Sequence, residues 1–279
     1  MTPRTIVITG ASDGVGAAAA RILAERDERV VLVGRSPDKT RALARELDAP
    51  AHLADFADLA QVRRLAEELR AYPRIDVLAN NAGAIMGARR VTRDGFEATF
   101  QVNHLAPFLL THLLIDRLEG AKVVQTSSAA ARRFARLDLE DLQNERHYSP
   151  NRAYGDAKLA NILFTVELHR RYPGVAAVAF HPGMIATSFA AGSSSWFRWV
   201  YRTPLARLVL EPPARGGERL VWLVDGTPGR DWTPGAYYEK NLEAVPPPLA
   251  ADPDVARALW DRSAALVGLT TREGPRSPA

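Results

Sequence analysis

The sequence predicts an α/β fold: a single doubly wound parallel sheet with helices on both faces. Three observations carry that prediction. Short β-branched runs alternate with helix-period segments over the first two-thirds of the chain, and a glycine-rich turn joins the first run to the first helix. Of the 279 residues, 47% are apolar, which is ample for one large core. No linker or repeat divides the chain, so residues 1–271 read as one domain and 272–279 (REGPRSPA) as a flexible tail.

In chain order, the strand runs are Thr5–Thr9 (TIVIT), Val30–Val33, Ile75–Leu78, Val123–Gln125 and Val175–Phe180. Between them lie the helix-period segments Val15–Glu25, Lys39–Leu47, Leu59–Leu69, Phe96–Leu118 and Tyr154–Arg171. Strands separated by helices of this length form βαβ units with right-handed crossovers. A last helix runs from about Pro253 to Leu266, because Asp252 can cap it and proline suits the first helical position. Two regions break the rhythm. One is a polar excursion, Ala129–Arg152; the other is Ala186–Gly217, which carries SSSWFRWVYRTPLARLVLEPP and then a glycine pair. Loops of this length in an α/β domain usually serve function.

Composition narrows the classes. With no cysteine, disulfides and thiolate chemistry are excluded, and the six histidines show no metal-ligand spacing, so no metal is expected. The N-terminus enters a strand without a basic-then-apolar leader, and no uncharged stretch is a membrane span; a cytoplasmic protein is the expectation. A pI near 9.6 invites nucleic acid. The net charge is only +4, however, and the 36 basic residues are scattered, so no nucleic-acid partner is expected. Only Lys39, Lys122, Lys158 and Lys240 among them are lysines.

Thr9–Gly16 reads TGASDGVG directly between the first strand and the first helix. Gly10 can make the tight turn, Gly14 admits a pyrophosphate to the backbone, and Gly16 lets the helix pack on the sheet. The helix N-terminus then offers free N–H groups to phosphates. This is a Rossmann-type dinucleotide site, and no Gly-Lys-Ser/Thr follows to make it a triphosphate loop. At the end of the second strand, VVLVGRS places Arg35 where a carboxylate would select NAD. A guanidinium suits the 2′-phosphate of NADP by charge and geometry, so NADP(H) is favoured and NAD(H) stays open.

Tyr154 and Lys158 stand four apart on a helix and so share a face. An ammonium beside a phenol favours the phenolate, which makes the pair a proton donor and acceptor. Alone, the spacing is common. It is accompanied in order by TGASDGVG, Asn80-Asn81-Ala82-Gly83, Asn103, Thr126-Ser127-Ser128, YGDAK and His181-Pro182-Gly183. This set resembles the short-chain dehydrogenase/reductase family over roughly Thr5 to Leu269, and within it the retinol-dehydrogenase-type and bacterial polyketide-ketoreductase-type members.

The resemblance implies an oxidoreductase and a role for each matching residue. Tyr154 would be the general acid in ketone reduction and the base in alcohol oxidation. Lys158 would assist Tyr154 and hold the nicotinamide ribose, Ser128 would bind the substrate oxygen, and Asn103 would hold a relay water. Gly10, Ser12, Asp13, Gly14, Val15 and Gly16 would cradle the pyrophosphate. Asp55 would meet the adenine, Asn81, Ala82 and Gly83 would flank the cofactor, and Pro182, Gly183, Ile185 and Thr187 would hold the nicotinamide amide. Asp13 stands where many NADP-preferring members carry Arg or Lys; it can cap the helix, leaving Arg35 and Ser12 for the phosphate. The excursion before Tyr154 could line the substrate mouth or cover the helix face through which many members form tetramers; a monomer or homodimer is expected. Residues 186–217 read as a substrate lid in preference to a membrane-surface segment. Their aromatic content points to a bulky apolar or aromatic carbonyl, with alcohol oxidation and a non-catalytic dinucleotide-binding regulator as alternatives.

Overall fold

Sequence and burial agree in the first strand: all five residues of TIVIT are buried, as a parallel strand covered on both faces requires. The computed structural model of the chain describes residues 3–185 and 211–269. Thr187, residues 186–210 of the segment read as a lid, and the 272–279 tail lie outside the described residues.

The first half alternates β1 (Thr5–Thr9), α1 (Gly14–Ala24), β2 (Arg29–Gly34), α2 (Pro37–Leu47), β3 (Ala51–Leu53), α3 (Leu59–Leu69) and β4 (Val77–Asn80). The composite helix α4 (Ala98–Phe100), a π-helical turn (Gln101–Leu105) and α5 (Ala106–Leu113) follow. After it come β5 (Lys122–Thr126), α6 (Ala130–Arg133), α7 (Pro150–Arg171), β6 (Ala176–His181), α8 (Pro213–Asp225), β7 (Tyr237–Glu239), β8 (Leu242–Glu243) and α9 (Pro253–Leu266). Among the described residues the sheet order is β3-β2-β1-β4-β5-β6-β7-β8, parallel throughout except for antiparallel β8. The winding reverses between β1 and β4, so a crevice opens at the carboxyl ends of those strands.

Strand residues alternate between two apolar layers. Ile6, Ile8, Val30, Leu32, Val124 and Val178 pack under α1, α2 and α8. Val7, Val31, Leu78 and Val123 pack under α3, α5, α7 and α9. Trp260 of α9 stacks on Phe164 at 5.6 Å and meets Phe108 edge-on at 5.0 Å, so the last helix covers α5 and α7. Asp252 caps α9 as expected, accepting from the backbone N–H groups of Asp254 and Val255.

Several expectations need correction. The helix expected over Phe96–Leu118 begins at Ala98, widens into the π turn and ends at Leu113. Pro107 has no N–H to offer the Asn103 carbonyl, so an α-helical bond cannot form there. The helix expected from Tyr154 starts at Pro150, because Ser149 caps it by accepting from Arg152 N at 3.2 Å. The sequence reading identified neither α8 nor β7 and β8. Residues 213–217 of the segment read as a lid form the first turn of α8. There a Cβ on Gly216 would stand 2.6 Å from Val15, and one on Gly217 would stand 2.8 Å from the Ala18 Cβ. Two glycines thus let α8 press against α1. Among the described residues no helix is long and apolar enough to cross a membrane.

Candidate active site

The glycine turn and the Asn80–Gly83 loop leave the adjacent strands β1 and β4 and are fastened together. Thr9 Oγ1 accepts the backbone N–H groups of Asn81 and Ala82, both at 3.0 Å. Asn81 Nδ2 donates to the Thr9 carbonyl at 2.9 Å. Gly10 takes φ +66°, and a Cβ on Gly16 would lie 2.6 Å from the Gly10 carbonyl oxygen. The turn is therefore packed too closely at Gly10 and Gly16 for a side chain, and its backbone leads into the α1 N-terminus, which fits a pyrophosphate. Asp13 caps that helix, its Oδ1 accepting from Gly14 N at 2.8 Å. Thr9 went unremarked in the sequence reading, although a hydroxyl at a strand end next to such a turn is a signal.

Two of the residues expected to form the reaction centre, Asn103 and Lys158, meet at Gly83. A Cβ there would stand 2.5 Å from Asn103 Oδ1 and 3.2 Å from Lys158 Nζ. Asn103 is wholly buried in the π turn; its Nδ2 donates to the Ala84 and Thr99 carbonyls, each at 2.8 Å. Lys158 is 1% exposed and donates to the Thr126 carbonyl at 3.1 Å. Burial pushes its pKa down to about 7, so ammonium and amine are both populated near neutrality. Its Nζ lies 5.5 Å from the centre of the Tyr154 ring, itself packed among Ile85, Ala130 and Phe134. Ser128 is half-buried at the end of β5, and its Oγ accepts from Ala130 N at 3.2 Å.

Behind Lys158 runs a buried polar chain that the sequence reading missed. Asn161 Nδ2 donates to the same Thr126 carbonyl at 3.0 Å, leaving Oδ1 to face His104 Nδ1 at 3.4 Å. His104 Nε2 then accepts from Ser263 Oγ at 2.9 Å. Burial pushes the His104 pKa down to about 4, so the ring is neutral. The spacing of Lys158 and Asn161, one helical turn, is the signal that could have found it.

The remaining expected residues divide between the two ends of the crevice. Pro182 and Gly183 follow β6, and Arg219 of α8 donates to the Pro182 carbonyl at 2.6 Å while pairing with Glu211 at 2.6 Å. Ile185 is buried and forms a β-bridge with Glu211. His181, beside them, is held neutral by burial with a pKa of about 4. At the other end, Asp55 shapes the turn after β3 by accepting from Ala57 N at 3.0 Å. Arg35 is exposed just beyond β2 and makes no hydrogen bond or ion pair among the described residues. Ser12 lies against Gly34, whose Cβ would meet the Ser12 Oγ at 3.2 Å.

Known proteins share this organisation. The family model for short chain dehydrogenase matches residues 4–197. A protein of Streptomyces sp. (strain C5), provisionally named daunorubicin C-13 ketoreductase DnrU, is 46% identical over 280 residues, covering 96% of this chain and 94% of its own. Human retinol dehydrogenase 13 is 34% identical over 292 residues, with 98% of this chain and 88% of its own covered. The crystal structure of an uncharacterized protein from Mycobacterium paratuberculosis aligns with a TM-score of 0.76 at 35% identity, covering 96% of this chain and 95% of its own. The chain belongs to the short-chain dehydrogenase/reductase family, and is an NAD(P)-dependent oxidoreductase acting on CH–OH and C=O groups.

Proposed function

We propose that this enzyme reduces a bulky apolar or aromatic ketone with NADPH, as a cytoplasmic monomer or homodimer. The observation that carries the reading is the meeting of Asn103 and Lys158 at Gly83, with the Tyr154 ring beside Lys158. Bound NADPH supplies the hydride. Ser128 holds the substrate oxygen, and Tyr154 gives that oxygen its proton as the carbon is reduced. Lys158 holds the nicotinamide ribose and helps Tyr154 release the proton. Asn103 fixes a water through which Lys158 is re-protonated. Arg35, exposed and without a partner among the described residues, is the group that favours the 2′-phosphate over a plain ribose. Gly10 to Gly16 hold the pyrophosphate, Asp55 the adenine, and Pro182 to Thr187 the nicotinamide amide.

The aromatic sequence of residues 186–210 and the name of the 46% identical relative support a large aromatic ketone. A ketone of the type that name specifies is the first substrate to test. The 34% identity to a retinol dehydrogenase favours a second reading, oxidation of an apolar alcohol with Tyr154 as the base. A panel of aromatic, polyketide, retinoid and steroid carbonyls, followed by NADPH absorbance, separates the two. Tyr154→Phe is expected to lower kcat by about a hundredfold or more while leaving NADPH binding nearly intact. Near-normal turnover in that variant overturns the proposed proton transfer.

A further inference from the structure

The adenosine end of the crevice holds an apparent contradiction. A carboxylate, Asp13, stands at the turn that would receive phosphates, next in sequence to Ser12, which lies against Gly34, the residue before the arginine proposed to bind one of them. Phosphomonoesters carry close to two negative charges at neutral pH, so an uncovered carboxylate nearby would repel a 2′-phosphate.

Asp13 is not uncovered. Its Oδ2 pairs with Lys39 Nζ at 2.7 Å, while Oδ1 caps α1. Lys39 lies on the first turn of α2, which begins directly after Arg35 and Ser36. Close packing without side-chain bulk brings these segments together at Gly34. A Cβ there would collide with Thr40 Oγ1 of α2 and stand 3.1 Å from the Ser12 Cβ. Thr40 Oγ1 in turn donates to the Ser36 carbonyl at 2.6 Å, fixing the turn that presents Lys39. Asp13, Arg35 and Lys39 together carry one net positive charge.

We propose that Lys39 is a specificity-determining residue for the cofactor, acting by covering the Asp13 carboxylate so that the 2′-phosphate held by Arg35 is not repelled. The inference rests on the NADPH reading above. Lys39 and Asp13 are both about half exposed, with side-chain exposures of 58% and 49%. Such a pair contributes little to stability, so its contribution here is to the local charge. A lysine also suits the task, being a flexible point charge that can follow the carboxylate or swing toward a phosphate.

The test compares dissociation constants of NADPH and NADH by fluorescence titration for the wild type, Lys39→Met, Asp13→Asn and the double variant. Far-ultraviolet circular dichroism and Tm establish that each is folded. Lys39→Met is expected to weaken NADPH by about tenfold, as for loss of one charge-assisted interaction, with NADH within about twofold of the wild type. Adding Asp13→Asn to Lys39→Met is expected to restore most of the lost NADPH affinity. An NADPH/NADH ratio unmoved by Lys39→Met overturns the inference, as does a double variant no better than Lys39→Met. A wild type that binds NADH at least as tightly as NADPH overturns the cofactor reading itself, and is seen before any variant is measured.

Discussion

One methyl group at position 83 would meet both buried polar groups of the candidate site. A Cβ there stands 2.5 Å from Asn103 Oδ1, which the π turn holds rigidly, and 3.2 Å from Lys158 Nζ. Asn103 cannot retreat cheaply, being anchored by two donated hydrogen bonds, and the Lys158 ammonium would have to shift by a few tenths of an ångström. Overpacking of this kind costs about 1–3 kcal/mol. Gly83→Ala is therefore expected to cut kcat by about tenfold or more, out of proportion to its effect on Tm. Parallel kinetics and melting curves check this; a loss in Tm with kcat untouched would show that the contact is structural alone. The residues at this scale were legible in the sequence as an ordered set, but the reasons for their geometry were not. That Gly83 must lack a side chain depends on Asn103 and Lys158, which are distant in the chain. Asn161 and His104 stayed hidden because a buried polar residue on an apolar helix looks like any core position until its partner is known.

At the level of elements, legibility followed the strength of local signals. The first strand, α1 and α9 announce themselves by β-branched runs, glycines and caps that act within a few residues. Three-residue β7 has no periodicity to read; its place is set by pairing with β6. The start of α8 was obscured by its glycine pair, which reads as loop in sequence and serves as a contact surface for α1 in the fold. That helix also carries Arg219, whose two hydrogen-bonding arms join the Pro182 carbonyl to Glu211. Arg219→Met removes both. On the proposed reading, where the turn at Pro182 holds the nicotinamide amide, the variant is expected to raise the NADPH dissociation constant by about three- to tenfold. Arg219→Lys should recover only part, because a single ammonium nitrogen replaces the planar fork whose two nitrogens reach the Pro182 carbonyl and Glu211 separately. Titration of both variants decides it; unchanged affinity in Arg219→Met would remove Arg219 from the site.

For the molecule as a whole, two histidines, His104 and His181, make stability fall on the acid side. The folded chain holds His104 and His181 with pKa values near 4, below the value of 6.5 for an unperturbed histidine, in each case chiefly through burial. Between pH 6.5 and 4 the unfolded chain therefore binds more protons than the folded one. The stabilisation is fully present above pH 6.5 and is lost as pH falls toward 4. For His104, 1% exposed, the loss amounts to about 3 kcal/mol by pH 4. Urea unfolding at pH 7 and pH 4.5 is expected to show a steep fall in the wild type and a shallower one in His104→Gln. Equal slopes would mean that His104 accepts its proton without unfolding.

The bridge between Ile185 and Glu211 bears on how new substrate ranges could arise in this scaffold. Its hydrogen bond from Glu211 N to the Met184 carbonyl, 2.8 Å, brings the chain back to within one residue pair of where it left. Whatever stands between these two anchor points is bounded by a closed stem. The entropic cost of closing a flexible loop rises by only about 0.6 kcal/mol for each doubling of its length. A change of length between these two anchors thus costs the sheet little, and it leaves Asn103, Ser128, Tyr154 and Lys158, which all precede Ile185, in place.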